Sequence, residues 1–475
     1  MEQLSLIQSE IALATLTCVV MLVDVFSRDK RIVHLTITGG LALVLGNVLY
    51  TFPSATAYVF SDTLKIDQVS SVLKAGILAI TIFVFSYARD FFDRFGKRPS
   101  EFFILGLFSV LGMMILVSAN NMLTVYLGLE LLSLSLYAMV ALERESVKAS
   151  EAALKYFVLG ALASGILLYG MSMLYGAAGT LDLRMLSEVA SSSERTLLFV
   201  FGLVFILVGV AFKLGVVPFH MWIPDVYEGS RTPVTLFLSS SPKIASFAMS
   251  YRLLAEGLGA FHYDWVQMLI LLALLSMYVG NISAIAQTNY KRMLAYSTIS
   301  HMGFLLVGLI AASPGGYASA MFYVLVYSVM GMGAFGAILL LLTPEDEGEE
   351  ISKFQGLAQT NPWTAAVILI LMFSLAGIPP FAGFWAKWFV LKEVIASGYL
   401  WLATLAVLSS LIGAFYYLRI VKIMYFDKAT GNEKLKISGG ISLVFNLNCG
   451  TVVFLGFYPG FLMSVCIAAI LSTGI

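Results

Sequence analysis

Residues 208–225 read VGVAFKLGVVPFHMWIPD, an apolar run that carries a lysine, Lys213, and then a proline, Pro218. A proline inside a helix removes a backbone donor and clashes with the carbonyl group four residues earlier, so the helix must break or kink. We therefore predict a broken helix near 208–229, with a lysine beside the break.

The same wording occurs a second time along the chain. LGVVPFHMW (214–222) and AGIPPFAGF (376–384) both have a glycine followed, three residues later, by Pro-Phe. Each lies in or at the end of a long apolar segment and has a lysine nearby, Lys213 in one case and Lys387 in the other. Interrupted apolar segments in corresponding halves of a chain are typical of inverted-repeat transporters with ion sites on broken helices. We predict the second broken helix near 361–394.

Composition places the whole chain in a membrane. Hydrophobic residues make up 59% of the 475 residues, charged residues only 12%, and the mean hydropathy is +0.91, whereas soluble proteins carry roughly 25% charged residues. The 28 basic and 28 acidic residues balance, so the chain lacks the basic surface that binds nucleic acid. We predict an all-α polytopic membrane protein.

The cysteines give no sign of a metal or redox centre. Cys18, Cys449 and Cys466 lie far apart in apolar runs, whereas zinc sites, iron–sulfur clusters and redox CxxC motifs need closer spacing. We therefore expect no metal site and no cofactor-binding residue in this chain.

Apolar runs of about 20 residues, the length that crosses a bilayer as a helix, recur along the chain. Connections as short as SANN (118–121) make neighbouring runs tight hairpins, and no loop is long enough for a soluble domain. Residues 1–475 are therefore expected to form a single membrane domain. We predict about fourteen transmembrane helices, at 5–25, 32–52, 69–88, 101–118, 121–142, 150–175, 197–217, 233–255, 264–286, 292–312, 316–342, 361–394, 399–424 and 439–470.

Basic residues in the loops indicate the orientation. With the N-terminus outside, most of the 28 lysines and arginines fall on inner loops and adjoining helix ends, as the positive-inside rule requires. The outer set is small and consists of Lys65, Arg184, Arg195, Arg252 and Lys392. We predict that both termini lie on the outer side of the membrane.

A small set of charged residues falls inside the predicted spans. Its members are Lys74, Glu130, Lys155, Lys213, Lys243, Lys387 and Arg419. A charge at the bilayer centre costs at least about 2.5–3.5 kcal/mol on insertion scales, so it is usually paired, solvated or functional. Lys74 and Arg419 lie near span ends, where we expect their long side chains to snorkel to the interface. For Lys155, snorkelling and function are balanced.

Glu130, Lys213 and Lys243 lie deeper or beside a break and indicate function. Burial favours the neutral form of a lysine, whereas a nearby carboxylate favours its charged form. A Glu130–Lys213 pair would therefore act as a switch that holds a proton when closed and releases it when open. Serines 239–241, beside Lys243, could hydrogen-bond a file of water or the helix backbone.

Two histidines are candidates for relaying a proton, because imidazole titrates near neutral pH. His220 follows the first break and His301 lies in STISHMGFLLVG; either could instead hydrogen-bond across helices. Asp225 and Glu228 are expected at the inner surface, where they either cap a loop or collect protons. The acidic run PEDEGEE (344–350) is expected to be a solvated inner loop.

Several longer stretches carry a family likeness. They are GLELLSLSLYAMVA (128–141), EAALKYFVLGALASG (151–165), FKLGVVPFHMWIPDVYEGSRTPVTLFLSSSPKIASF (212–247), QTNYKRMLAYSTISHMGFLLVG (287–308) and SLAGIPPFAGFWAKWFVL (374–391). Together they resemble the antiporter-like membrane subunits of proton-pumping NADH:quinone oxidoreductase, respiratory complex I. The resemblance extends over nearly the whole chain.

The resemblance implies an architecture and a function. The architecture is three helices at 1–100, two inverted five-helix repeats at 101–256 and 264–427, and a final helix at 439–475. The function is proton translocation across the cell inner (plasma) membrane, driven by quinone reduction elsewhere in the complex. Flavin and iron–sulfur clusters are expected in other subunits. The expected partners are the other membrane subunits, including neighbouring antiporter-like ones.

The resemblance also assigns proton-carrying roles to individual positions. The acid of the fifth helix falls on Glu130 and its lysine partner in the broken seventh on Lys213. The bridging lysine of the eighth helix falls on Lys243, the exit-side lysine of the broken twelfth on Lys387, and the sixth-helix lysine on Lys155. The implied path runs from the Glu130–Lys213 pair past Lys243 to Lys387.

One departure and several alternatives accompany this assignment. The motif reads GSRTPV where the family has a proline in place of the arginine, which leaves Arg231 unexplained. The same fold occurs in subunits of multi-subunit cation/proton antiporters and membrane-bound hydrogenases. A redox or quinone-binding enzyme chain is disfavoured because the sequence lacks a ligand set for a cofactor. A passive scaffold is disfavoured by the cost of the midspan charges.

Overall fold

The computed structural model describes residues 2–27, 29–95, 100–192, 196–342, 349–429 and 438–474. Helices dominate this part of the chain, and twelve of them are long and apolar enough to cross a membrane. The prediction of an all-α polytopic membrane protein is confirmed.

The N-terminal part consists of helices and one β-hairpin. Its elements are α1 (Glu2–Leu6), α2 (Gln8–Phe26), α3 (Lys30–Tyr50), β1 (Ala57–Val59), β2 (Leu64–Ile66) and α4 (Gln68–Phe95). The strands pair antiparallel, with Tyr58 opposite Lys65. The backbone amide of Asn120 donates to the carbonyl oxygen of Thr63 at 3.0 Å, so the hairpin lies beside the start of the sixth helix.

The first half of the main bundle follows. Its elements are α5 (Ser100–Ser118), α6 (Met122–Val140), α7 (Val147–Ala178), α8 (Leu183–Ser192), α9 (Leu197–Leu214), α10 (Trp222–Gly229), α11 (Thr232–Leu238) and α12 (Ser241–Ser250). A π-helical turn, Tyr251–Gly257, continues α12, and a short 3₁₀ helix, Gly259–Phe261, follows it.

The second half contains the longest continuous helices. Its elements are α13 (His262–Ile285), α14 (Tyr290–Ile310), α15 (Pro314–Leu341), a 3₁₀ helix (Ile351–Phe354), α16 (Leu357–Thr360), α17 (Pro362–Ala376), α18 (Ala382–Ala396), α19 (Leu400–Phe426), α20 (Gly439–Phe457) and α21 (Pro459–Leu471).

The core of the bundle surrounds α14 and α15. In each of these helices 94% of the most apolar 18-residue window is buried inside the protein, against 28% for α2 and 33% for α7. The outer helices turn large apolar side chains such as Leu22, Val25 and Leu154 outwards, as expected for helices whose solvent is lipid.

Two helices stop in the middle of an apolar run, and they stop in the same way. α9 ends at Leu214 and α17 at Ala376, and the next residues, Gly215 and Gly377, have φ of 77° and 86°. In both caps the amides of the glycine and of the residue after it donate to the carbonyl oxygen four residues before the glycine. Glycine adopts positive φ more readily than any other residue. The two predicted breaks are confirmed.

The predicted span 233–255 is wrong as a single helix. It consists of α11 and α12, separated by Ser239 and Ser240, and of the π-helical turn. Ser240 has φ −118° and ψ −96°, outside the helical region. Pro242 lies in the first turn of α12, where its missing N–H leaves no bond unmade, but it cannot continue the preceding helix.

The C-terminal segment 439–475 also contains two helices rather than the one predicted. α20 ends at Phe457, Tyr458 has φ −125° and ψ 56°, and α21 begins at Pro459. A proline disfavours the helical conformation of the residue before it and suits the first position of a new helix. With these interruptions, the count of fourteen spans stays a prediction.

Candidate functional site

Lys213 lies in the last turn of α9, beside the first break, and is only 7% exposed. Its ammonium donates to the hydroxyl of Ser133 on α6 at 2.5 Å. Ser133 donates its own proton to the carbonyl oxygen of Leu129. A hydroxyl has one proton to donate, so Ser133 is the acceptor in its contact with Lys213.

Glu130 lies three residues before Ser133 on α6 and is half-buried. It interacts electrostatically with Lys213, but within the described part of the chain no ion pair of 4.0 Å or less joins them. Its Oε1 is buried without a hydrogen-bond partner there. Ser133 is therefore the immediate hydrogen-bond partner of Lys213, and Glu130 acts on Lys213 only through its charge.

A small cavity of about 10 Å³ adjoins this contact. Its lining includes Ser133, Tyr137, Ser164 and Lys213. This volume is close to the minimum of roughly 10–15 Å³ that holds one water molecule. The space beside Lys213 is thus of the size of a single water, with a few polar side chains in a mostly apolar lining.

Lys243, in the first turn of α12, is 1% exposed. Its ammonium donates to the carbonyl oxygen of Leu214, the last residue of α9, at 2.9 Å. It also lies 5.4 Å from the centre of the Trp222 ring. Lys243 therefore binds the end of the first broken helix.

Lys387 has the same relation to the second break. It lies half-buried on α18, and its ammonium donates to the carbonyl oxygen of Ala376, the last residue of α17, at 2.9 Å. It also donates to the hydroxyl of Ser410 at 2.8 Å and lines a cavity of about 590 Å³ at α18 and α19. The counterpart of Lys387 at the first break is thus Lys243, and not Lys213 as the sequence comparison suggests.

His301 lies buried on α14 between two tyrosines. Its Nδ1 is 2.7 Å from the hydroxyl of Tyr323, and its Nε2 is 3.0 Å from the hydroxyl of Tyr417. A neutral imidazole donates through one nitrogen and accepts through the other. The cross-helix bonding considered for His301 is therefore present.

Two separate groups of polar contacts lie between the surroundings of Lys243 and those of His301. Ser328 on α15 donates to the carbonyl oxygen of Ser240 at 3.2 Å. Its neighbour Tyr327 donates to Thr298 at 2.7 Å, and the Tyr327 ring centre is 5.1 Å from that of His301. We call the series from the first break to the second the central polar chain; it comprises Glu130, Ser133, Lys213, Lys243, Tyr327, His301 and Lys387.

His220, the other candidate relay, lies half-buried in the connection between α9 and α10. Its Nδ1 has no hydrogen-bond partner in the part of the chain that the structure describes. The structure thus joins only one of the two histidines to the central polar chain.

Lys155 takes part in an ion-pair network near the start of α7. Its side chain is 42% exposed and pairs with Asp225 at 2.7 Å and with Glu151 at 2.8 Å. Asp225 also accepts from Arg292 at 2.9 Å, and Arg292 donates to Glu228 at 2.8 Å. Asp225 and Glu228 therefore form ion pairs with basic side chains of α7 and α14. From the sequence we expected either a loop-capping or a proton-collecting role for them.

Glu349 extends this network and differs from the prediction. It is buried and pairs with Lys291, which also donates to the carbonyl oxygen of Ser230 at 2.7 Å. Burial alone would raise the pKa of Glu349, but the charge of Lys291 outweighs it and holds that pKa below its ordinary value. The solvated loop expected for PEDEGEE is wrong at Glu349, and residues 344–348 lie outside the described residues.

Arg231, which the sequence leaves unexplained, pairs with Glu143. Its Nε donates to one carboxylate oxygen at 2.6 Å and its second guanidinium nitrogen to the other. Both residues line a cavity of about 590 Å³ together with Glu101. A bidentate arginine–carboxylate pair fixes geometry as well as charge, so Arg231 anchors the start of α11 to the end of α6.

The prediction that Lys74 snorkels to the interface is wrong. Arg419, for which the same was predicted, donates hydrogen bonds to backbone carbonyl groups. Lys74 is 3% exposed and forms an ion pair with Glu10 at 2.5 Å. Arg419 donates to the carbonyl oxygens of Ile285 at 2.9 Å and Gln287 at 2.5 Å. These carbonyls lie at the end of α13, where a basic side chain satisfies groups that lack helical partners.

The serines beside Lys243 bond to the protein itself. Ser239 and Ser240 donate to the carbonyl oxygen of Leu236 at 3.1 and 2.8 Å. Ser241 lies 3.2 Å from the hydroxyl of Thr81 on α4. The backbone-bonding alternative is therefore the one seen for the first two serines.

Four charged residues form a second cluster, at the hairpin end of the bundle. Arg252 donates to both carboxylate oxygens of Asp67 at 2.8 Å and to Glu256 at 2.6 Å, and Lys65 donates to Glu256 at 2.9 Å. Burial would raise the pKa of Asp67, but the Arg252 and Lys65 charges lower it to about 2. We call these residues the hairpin cluster; it ties the hairpin to the π-helical turn after α12.

Nothing in the described residues resembles a metal centre. Within that part of the chain, no group of three or more His, Cys, Asp or Glu side chains is placed to hold an ion. Cys18, Cys449 and Cys466 are free thiols, the last two buried.

Comparison with known proteins gives a consistent result. Residues 119–413, which include the whole central polar chain, match the family described as NADH:quinone oxidoreductase/Mrp antiporter, TM. The chain is 51% identical, over 467 residues, to NADH-quinone oxidoreductase subunit N of Nitrosomonas europaea, and the alignment covers 97% of this chain and 96% of that protein.

Solved structures share the fold. A chain of respiratory complex I from Thermus thermophilus, solved with bound aureothin, has a TM-score of 0.83 at 32% identity, covering 96% of this chain and 98% of that one. A chain of the Mrp complex from Dietzia sp. has a TM-score of 0.87 at 19% identity, covering 97% and 96%. The second likeness concerns the fold alone.

Proposed function

We propose a function on the premise that this chain belongs to the family of NADH-quinone oxidoreductase subunit N, to which 51% identity over nearly its full length assigns it. The chain is a proton-translocating, antiporter-like membrane subunit of that oxidoreductase. Electrons pass from NADH to quinone in other subunits, where flavin and iron–sulfur clusters are expected. Within the family the wording PDVYEGSRTPV (224–234) is similar to subunit N, and the relatives confirm that prediction.

The central polar chain is the observation that carries the proposal. Two half-helices end inside the bundle, each against a buried or half-buried lysine, Lys243 and Lys387. Placing such charges at membrane depth is costly, and lysines with polar neighbours can exchange protons there. Ser328 bonds to the backbone near Lys243, and His301, which interacts electrostatically with Lys387, bonds to two tyrosine hydroxyls.

We assign a direction to the path as follows. Lys155, half-exposed among the carboxylates of Glu151 and Asp225, receives protons on the inner side. Lys213 takes up the proton beside Ser133 and Glu130, and Lys243 passes it toward His301. Lys387, next to a cavity, releases it on the outer side.

We also propose the two inverted five-helix repeats, 101–256 and 264–427, and the placement of both termini outside the inner (plasma) membrane. The equal caps at Gly215 and Gly377 support the repeats. The hydroxyl of Thr473 lies 3.0 Å from that of Tyr251, beside the hairpin cluster, which supports having the C-terminus on the hairpin side. Six of the basic residues that the positive-inside argument uses lie outside the described residues. They are Arg28, Lys97, Arg98, Arg195, Lys434 and Lys436.

Affinity purification through this chain tests the assignment to an oxidoreductase. Detergent-solubilised membranes should yield a complex that oxidises NADH and contains flavin and iron–sulfur clusters. Recovery of a cation/proton antiporter or a hydrogenase instead would support the alternative assemblies that share this fold. A matched purification from cells without the tag gives the background.

Replacing Ser133 by alanine should slow proton pumping by about five-fold or more, because an unpaired buried donor costs roughly 1–3 kcal/mol. The variant removes the acceptor of Lys213 and leaves both charged residues in place. The initial rate of NADH-driven acidification of inverted membrane vesicles measures the effect. Ser133→Thr keeps a hydroxyl and should restore most of the rate.

Ser164→Ala is the matched control for this experiment. Ser164 lines the same small cavity but donates to the carbonyl oxygen of Ala161 at 3.3 Å. Equal pumping rates for the Ser133→Ala and Ser164→Ala variants would show that the contact with Lys213 is dispensable.

A further inference from the structure

A buried ion pair lies outside the central polar chain, among the N-terminal helices. Glu10 on α2 is 7% exposed, Lys74 on α4 is 3% exposed, and their charged groups are 2.5 Å apart. Ser9 donates to the other carboxylate oxygen of Glu10 at 2.7 Å. Neither charged residue has a role in the proposed path.

A cavity of about 220 Å³ reaches the ammonium-bearing side chain of this pair. With roughly 30 Å³ per water molecule in the liquid, it has room for several waters. Its walls offer them hydroxyl partners, supplied by Ser5, Ser9, Thr51, Ser54 and Ser71. The ion pair is thus in reach of water although it is buried from bulk solvent.

The cavity lies at the hairpin end of the bundle. Its lining includes Ala57 in β1 and Ile66 in β2. The hairpin adjoins the start of α6, whereas the Arg231–Glu143 pair lies beyond the other end of that helix. In the orientation proposed above, the cavity therefore faces the outer solution.

Stability alone is a weak reason for such a pair. Replacing a buried ion pair by uncharged residues of similar size is often neutral or stabilising, whereas removing one partner is strongly destabilising. The two partners of the Glu10 carboxylate, Lys74 and Ser9, both line the cavity, so water in the cavity can exchange protons with the pair through them. The geometry of Glu10 and Lys74 fits exchange better than it fits packing.

The other described charged groups on the surrounding helices and hairpin either form ion pairs elsewhere or lie far from Glu10 and Lys74. Lys65 and Asp67 belong to the hairpin cluster, where they pair with Arg252 and Glu256. The other described charged side chains of α2 to α5 lie at the opposite ends of those helices; they are Asp24, Arg31, His34, Arg89, Asp90, Asp93, Arg94 and Glu101. Glu10 and Lys74 therefore act as an isolated pair.

The same helix face leads toward the central polar chain. Thr81, two turns beyond Lys74 on α4, hydrogen-bonds to Ser241 at 3.2 Å, two residues before Lys243. Buried Ile77 and Leu78 fill the interval. The pair is thus open to the outside and closed from the centre by apolar side chains.

We propose that Glu10 and Lys74 form a proton-exchange site that faces the outer solution, through which the outer proton concentration acts on this subunit. A proton that enters through the cavity binds the Glu10 carboxylate and frees the Lys74 ammonium to bond the surrounding hydroxyls. Loss of that proton restores the ion pair. The outward direction and the link to pumping rest on the proposed function.

Cysteine labelling tests the water route. The intact complex with Ser71→Cys, in membranes of known sidedness, should react with a membrane-impermeant maleimide added on the outer side, above the background of the native cysteines. Thr81→Cys, on the same helix but beyond Ile77 and Leu78, should stay unlabelled. Failure of Ser71→Cys to react, or reaction only from the inner side, would overturn the proposal.

Neutralising both charges tests the exchange. In proteoliposomes whose lumen corresponds to the outer side, acidifying the lumen should slow the initial pumping of the wild-type complex. The quantity to compare is the initial pumping rate at alkaline lumen divided by the rate at acidic lumen. In the double variant Glu10→Gln, Lys74→Met this ratio should fall by about five-fold, which is a typical coupling between two sites. If the assembled double variant has the same ratio of pumping rates as the wild-type complex, the proposal is overturned.

The two proposals fail in different ways. Full pumping by Glu130→Gln at neutral lumen would contradict the proposed function and leave the labelling result unaffected. An unchanged lumen dependence in the double variant would contradict the outer exchange site while the central polar chain still pumps. If the double variant does not assemble, the labelling of Ser71→Cys still tests whether the cavity is open to the outer solution.

Discussion

Replacing Lys213 by alanine, or Glu130 by glutamine, should lower the initial rate of proton pumping by about ten-fold or more, as expected when a proton-transferring group is lost. The first change removes the group that donates to Ser133. The second keeps the shape of the side chain but removes the charge that acts on Lys213. NADH-driven quenching of a pH-sensitive dye in inverted vesicles measures the rate, and native gels measure assembly.

Lys392→Ala provides the control for both variants. The side chain of Lys392 is 67% exposed, and its ion pair with Glu393 is 3.8 Å long. A lysine in such a position contributes little, so pumping should stay at the wild-type rate. Wild-type pumping by both Lys213→Ala and Glu130→Gln, in fully assembled complex, would remove these residues from the path.

Gly215→Ala should reduce the amount of assembled complex several-fold, the change in abundance expected for a loss of about 1–2 kcal/mol. At φ 77° a residue with a Cβ pays about 1–2 kcal/mol for the left-handed conformation alone. The new methyl group would also overlap the side chain of Ile223 and lie 3.7 Å from the Lys243 ammonium. Quantitative immunoblots of membranes and thermal denaturation of the purified complex measure the effect.

Gly39→Ala is the matched control. Gly39 lies inside α3, and a Cβ there would meet no described atom within 4 Å. Alanine also favours a helix over glycine, so assembly should be unchanged. Equal amounts of complex for Gly215→Ala and Gly39→Ala would show that the first break tolerates an ordinary residue.

The sequence predicts the breaks best where two signals coincide. At Gly215 and Gly377 a glycine precedes a proline in a repeated wording, and both signals act against a continuous helix. The break at Ser240 has only Pro242, and the neighbouring serines are also compatible with a helix, so the span was predicted as continuous. Tyr458 has no distinctive feature of its own, and only Pro459 indicates a break there.

The sequence predicts the lysines of the site by their depth, but not their partners. Hydroxyls such as Ser133 are common in membrane helices and usually bond their own backbone, so nothing in the sequence singles this one out. Glu10 lies near a span end, where carboxylates are ordinary, and its partner Lys74 is far along the chain. Pairing of this kind is decided by the packing of α2 and α4 against their shared neighbours α3 and α5, which an apolar pattern does not specify.

The lysine at each half-helix end has an electrical consequence. A helix C-terminus carries about half a negative elementary charge through its macrodipole, and it stabilises a nearby cation by up to about 2 kcal/mol in a partly buried geometry. Lys243 and Lys387 each sit 2.9 Å from such a terminal oxygen. Because the effect fades within one turn, a small axial displacement of either half-helix would change how strongly its end stabilises the neighbouring ammonium. In the proposed path, backbone movement would therefore act on both lysines without the arrival of a new ionic partner.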